Sequence, residues 1–313
     1  MNNMDKRRDD IMTINRVCRD VVRRHPSNFA NGGYALTGTL QTGTVAFVAI
    51  ALLALSVAPA VGADDKSPAT ITTATAPAPT AGAAEMKILR DLEAAGDKYR
   101  TIKADLDYQI VNPVLGDSER RTGWVAYSKG DKKTPTRFRV SFETLKLGAG
   151  AKTRAKVDYA FDGQWLTVAK HKIKSITLYQ LAAEGEKVEA LKIGKGPFPL
   201  PFGQSAAEMV KYFNPTTRPP VDSDPKNTIY LRLTTRPEHL RDLPTTRMEM
   251  WIDAKTNLPV KLKSRDKNRN TTTVMFKKTQ TNKAVDEKVF RVPRPIGYEV
   301  IRRPLSKAGT VAP

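Results

Sequence analysis

Arg137-Phe138-Arg139-Val140-Ser141-Phe142 is the stretch that decides the fold class. Phe138, Val140 and Phe142 fall on one side of an extended chain, and Arg139 and Ser141 on the other. That period of two is what a half-buried strand requires. The same alternation recurs at 157–161, 230–233 and 248–252. Further strands are expected at 105–111, 121–128, 165–170, 173–180, 259–265 and 271–279. Turn signals separate them at Asn112-Pro113, Gly130-Asp131, Asp162-Gly163, Asn257-Leu258-Pro259 and 267–270. About ten or eleven short strands without alternating helices predict an antiparallel sheet. A one-residue slip exchanges the two faces of a strand, so alternation does not say which face turns inward.

Two helices are expected beside the strands. Met86, Leu89, Leu92 and Ala94 or Ala95 recur at helical spacing across 84–99, and Gly96 weakens the end of that helix. Residues 194–203 read GKGPFPLPFG and lead into a helix within 204–213. Ser205 and Glu208 have the spacing of a capping box, and Asn214-Pro215 stops the helix. Phe198, Leu200, Phe202, Met209, Val210, Tyr212 and Phe213 put heavy apolar weight on this loop and short helix. It either plugs an open barrel mouth as core or closes over an apolar cavity as a lid.

Upstream, Thr44–Val61 is an apolar run closed by Val61-Gly62-Ala63. It is short for a membrane span, which needs about 20 residues, and suits a secretory h-region. Arg16, Arg19, Arg23 and Arg24 precede it. Residues 1–63 are therefore expected to be a signal peptide with a long n-region, with Met4 or Met12 as alternative starts. The alternative is an uncleaved anchor facing the periplasm. Residues 64–83, rich in Pro, Ala and Thr, read as a flexible linker. The folded domain is expected over 84–305 and a disordered tail over 306–313.

The chain carries a net charge of +20. Residues 1–63 hold seven Lys/Arg and four Asp/Glu, so about +17 remains on the exported part. Such a charge points to anionic partners, and export makes nucleic acid the least fitting of them. Lys261, Lys263, Arg265, Lys267 and Arg269 form one basic cluster, and Arg291, Arg294, Arg302 and Arg303 another. Either is a solvated strand face or a contact for a membrane surface or an acidic partner. Cys18 is the only cysteine and precedes the apolar run, so it is not a lipobox cysteine. No disulfide, thiolate metal site or cysteine nucleophile is available after it. GxSxG, HExxH, P-loop and GxGxxG motifs are missing, and Gly194-Lys195-Gly196 is only a fragment of a glycine-rich loop. His171 lies among Lys170, Lys172 and Lys174 and reads as an exposed strand residue. His239, between Glu238 and Asp242, is a weak candidate for base catalysis. Asp222, Asp224 and Asp253 lack a calcium-loop pattern. Neither catalysis nor a cofactor or metal is expected.

Several pieces in order resemble the outer-membrane lipoprotein carrier family, the LolA-like proteins, with the relatives LolB and the RseB/MucB sensor domains. They are Ile102–Gln109, Gly123-Trp124-Val125-Ala126-Tyr127, Pro135–Val140, Phe161-Asp162-Gly163-Gln164-Trp165-Leu166, Met250–Asp253, Leu258–Lys261, Thr273–Phe276 and Val289–Val300. The resemblance implies an incomplete antiparallel β-barrel whose open, apolar side is covered by helices. It also implies a cavity that holds acyl chains of lipoproteins or other envelope lipids, and a monomeric carrier crossing the periplasm. An acidic inner-membrane release complex and an outer-membrane acceptor are the implied partners. The cavity and lid are expected to use Trp124, Phe138, Val140, Phe142, Phe161, Phe198, Leu200, Phe202, Met209, Tyr212, Phe213 and Met250. A tethered sensor of the RseB type is the alternative. The family's release arginine precedes the strand-starting proline; Thr134 stands there in this chain, with Lys132, Lys133 and Arg137 nearby.

Overall fold

The computed structural model describes residues 81–131, 134–183 and 203–305. The apolar run, the linker up to residue 80, Lys132, Lys133, Phe198, Leu200, Phe202 and the tail lie outside the described residues. The chain opens with α1 (Ala83–Lys98), then β1 (Thr101–Asn112), β2 (Asp117–Ser128), β3 (Arg137–Leu147), β4 (Thr153–Phe161), β5 (Trp165–Lys170) and β6 (Ser175–Gln180). After α2 (Ala206–Tyr212) come β7 (Phe213–Arg218), β8 (Thr228–Thr235), β9 (Thr245–Asp253), β10 (Pro259–Asp266), β11 (Thr271–Thr281) and β12 (Glu299–Arg303).

All twelve strands form one sheet in the order β12-β6-β5-β4-β3-β2-β1-β11-β10-β9-β8-β7. Its edges, β12 and β7, do not pair, so the barrel is incomplete, as expected. Every pairing is antiparallel except β12 on β6, which is parallel. β7 was not among the expected strands. Asn214-Pro215 ends α2 as expected, but the chain then continues extended. Pro215 is tolerated there because β7 is an edge, where a missing N–H costs no ladder bond.

The core forms where the curled sheet meets the helices. Leu89, Leu92 and Ala95 of α1 and Ala206 and Met209 of α2 join side chains from eleven strands, β1 to β11, in one buried cluster. Seated at the sheet's centre, Gly123 is forced by a bulge: a Cβ there would lie 1.9 Å from the Ser141 carbonyl oxygen. Gly96 has a tertiary reason too. A Cβ on it would lie 2.3 Å from Gly203 Cα, and Gly203, at φ +69°, donates its N–H to the Leu92 carbonyl at 2.9 Å. The two helical segments touch through backbone at this point.

Candidate functional site

The pairings decide which parity of each strand is concave. Phe138, Val140 and Phe142 of β3 face inward with Tyr159 and Phe161 of β4, Leu166 and Val168 of β5 and Tyr108 of β1. Met248, Met250 and Ile252 do the same from β9, and Leu231 and Leu233 from β8. An aromatic ladder runs across the face. Tyr108 and Phe142 have ring centroids 5.6 Å apart, Phe142 and Tyr159 6.4 Å edge-on, and Phe138 and Phe161 5.6 Å. Burial pushes the Tyr127 and Tyr159 hydroxyls up to about 12, and Tyr108 higher still. Neutral phenols therefore sit in an apolar wall.

Sequence-predicted residues divide by this parity. Phe138, Val140, Phe142, Phe161, Met209, Phe213 and Met250 belong to the concave cluster, and Tyr212 packs at its border with its ring 4.9 Å from that of His239. Trp124 does not join them. Its neighbour Val125 packs against the core, so Trp124 projects from the convex face, where the Arg139 guanidinium lies 5.3 Å from its ring. Trp251 is convex as well. Its Nε1 donates to Asp224 Oδ1 at 2.6 Å, and Asp224 also accepts from Arg218 at 2.7 and 2.9 Å. The Arg218 hydrogen bonds hold the Asp224 carboxyl far below the usual range.

At one end of the concave face Arg121 Nε donates to Glu119 Oε1 at 2.5 Å, and the guanidinium lies 6.0 Å from the Phe142 ring. This internal ion pair was not picked out in the sequence. Thr134 makes a local turn, donating to Asp131 Oδ1 through its N–H at 2.8 Å and its hydroxyl at 2.9 Å. Arg137 turns away to Glu287 and the Phe290 ring. Among the described residues of this turn, Lys129 reaches α1: its Nζ donates to the Gly96 carbonyl at 2.8 Å and to Asp97 at 2.6 Å. No periodic signal marked it, because its role arises from the loop it stands on.

The convex face of β3–β6 carries a different construction. Asp158 is fully buried and accepts from Arg139 Nε and Nη2 at 3.1 and 3.0 Å through Oδ1. Arg139 Nη1 donates to the Val289 and Arg291 carbonyls of the C-terminal segment at 3.0 and 2.9 Å. His171 is not a strand residue: it opens a one-turn 3₁₀ segment, His171–Ile173. Its Nε2 lies 2.7 Å from Asp158 Oδ2 and its Nδ1 2.9 Å from the Tyr298 hydroxyl. The acid partner that His171 lacks in sequence comes from β4. Among the described residues no group of three or more His, Cys, Asp or Glu side chains gathers as a metal site.

No protein-family description matches the chain, and neither does any curated protein. The search among solved structures returns distant likenesses. The MucA/MucB complex of Pseudomonas aeruginosa is 15% identical with a TM-score of 0.39, covering 67% of this chain and 62% of that one. An uncharacterised conserved protein from Thermus thermophilus is 10% identical with a TM-score of 0.42, covering 70% and 99%. A LolA superfamily protein from Nitrosomonas europaea is 10% identical with a TM-score of 0.30, covering 66% and 97%. The likeness is one of fold. This chain spans less than two thirds of the length of the MucA/MucB chain it matches.

Proposed function

We propose that this chain is an exported, non-enzymatic carrier that shelters acyl chains of lipoproteins or other envelope lipids against its concave face. One observation carries the reading: eleven strands and two helices contribute to a single apolar cluster on that face. An acyl chain of about 15 methylenes costs roughly 12 kcal/mol to expose, at about 0.8 kcal/mol for each. Only a long, dry, concave wall offsets such a cost. Leu89, Leu92 and Met209 cover the wall with side chains of the same chemistry as a lipid tail. Exchanging helix contacts for acyl contacts therefore alters shape more than solvation. The Gly96–Gly203 contact and the Lys129 tether mark where the helical cover is held. Phe198, Leu200 and Phe202 are proposed to complete that cover.

Native purification followed by lipid mass spectrometry, together with uptake of a fluorescent fatty-acid probe, tests the proposal. Co-purifying acyl lipid and probe uptake are expected; a lipid-free protein that takes up no probe overturns it. N-terminal sequencing of the exported protein separates a diffusing carrier, cut after Ala63, from a tethered sensor that keeps the 44–61 run.

A further inference from the structure

Strand pairing sets five hairpin turns side by side along one end of the sheet. Around that rim they run 171–174, 148–152, 113–116, 267–270 and 236–244. The turn before β12 joins them, because Glu299 donates its N–H to the Lys174 carbonyl and pairs with Ser175. Large apolar side chains stand in the open here. Val114 is 71% exposed, Ile173 61%, Leu147 58%, and Ile296 fully. Leu115 and Leu240 are exposed as well. At the opposite end, Val221 alone is of this kind among the described residues.

Exposed Lys146, Lys152, Lys172, Lys174, Lys267 and Arg269 flank these tips. Asp117, Glu238, Asp242 and Glu299 are the exposed acids among them. Single exposed apolar residues scattered over a surface need no explanation, but here six of them gather at one end of the sheet. The apolar residues stand on separate turns with cations between them, so they build no single patch for a matching protein surface. A fluid interface accepts that arrangement. Tips enter the headgroup boundary one by one while Lys and Arg meet anionic lipid.

We propose that this end of the sheet docks on an anionic lipid bilayer, with the tips at Val114–Leu115, Leu147 and Ile173 inserted. The proposal goes beyond the carrier reading, since docking requires no cargo on the concave face. A test uses the full chain with Cys18→Ala and a single new cysteine, labelled with an environment-sensitive fluorophore. Leu115→Cys and Leu147→Cys report the rim, and Val221→Cys the opposite end. Vesicles of phosphatidylglycerol and phosphatidylcholine in equal parts are expected to shift emission to the blue at 115 and 147 but not at 221. The shift should disappear with pure phosphatidylcholine, and weaken in about 1 M salt, where the Debye length falls to roughly 3 Å. No shift at 115 and 147, or an equal shift at 221, overturns the proposal. A shift with polyglutamate and none with vesicles overturns it in favour of an acidic protein partner. Fatty-acid probe uptake by the same variants is measured separately, so failure of the carrier reading leaves this result readable.

Discussion

Ser141 and Phe142 are adjacent in β3, and both are buried, for opposite reasons. Phe142 lies in the concave face between Tyr108 and Tyr159. Ser141 belongs to the convex face, on the same side as Arg139 and opposite Asp158 in the β3–β4 pairing. The concave side is held by contact area, which is non-directional and roughly proportional to the surface removed from water. Another apolar guest can replace a helix side chain there at little change in free energy. The convex side is held by a chain of directed bonds from Asp158 through Arg139 to the Val289 and Arg291 carbonyls. Each member has a fixed partner, and removing one strands the next. One face is thus suited to exchange its contacts and the other to keep them.

Breaking the convex chain should give the largest effect. Arg139→Ala leaves the buried Asp158 without its cation and should cost about 4 kcal/mol of unfolding free energy. Denaturant titration measures it. Arg139→Met with Asp158→Leu should cost less than the single change, because no stranded charge remains. Fatty-acid probe uptake should survive in the double variant, since the concave wall is untouched.

On the concave side Phe142→Ala should cost about 3 kcal/mol through lost contacts and a residual cavity. Probe uptake should weaken along with stability. Loss of stability with unchanged uptake would place the acyl site elsewhere on the face.

The pH scale should separate the faces with the smallest effects. Tyr127 and Tyr159 titrate near 10.0 unfolded and about 12 folded. Their folded values are raised, so their stabilisation is complete below pH 10.0 and lost as pH rises to about 12. About 3 kcal/mol per tyrosine is at stake, and Tyr159→Phe should remove its share of the alkaline loss. On the convex face the Arg120 hydrogen bonds, aided by Lys277 and opposed by burial, lower Asp107 below 3.8. Its stabilisation is present above that value and lost as pH falls through the folded one. Water screens the exposed Arg120, so Asp107→Asn should cost under about 1 kcal/mol near neutral pH. The difference from wild type should vanish in strong acid. Melting curves across the pH range check both arms.

Much of this was legible in the chain. Alternation marked four strands and six further segments were expected between turn signals, Met86, Leu89 and Leu92 marked α1, and Ser205 marked the start of α2, where its hydroxyl accepts from the Glu208 N–H. β7 and β12 were harder. Phe213–Arg218 contains a proline, and Glu299–Arg303 alternates weakly because it lies on an edge with most side chains in water. Trp124 resembled a cavity residue because an aromatic on an alternating strand suits either side. His171 was set apart from acids by sequence and joined to one by the β4–β5 pairing.

By itself the sequence determined that strands dominate, that they pair antiparallel, and that Phe138, Val140 and Phe142 share a side. Those follow from local geometry, the two-residue period and turn chemistry. Only the tertiary structure decided which side is concave, why Gly96 and Gly123 must be glycine, and that Asp158 is shared between Arg139 and His171. Each depends on which distant strand or segment comes to lie alongside, and the covalent chain does not carry that information at any single position.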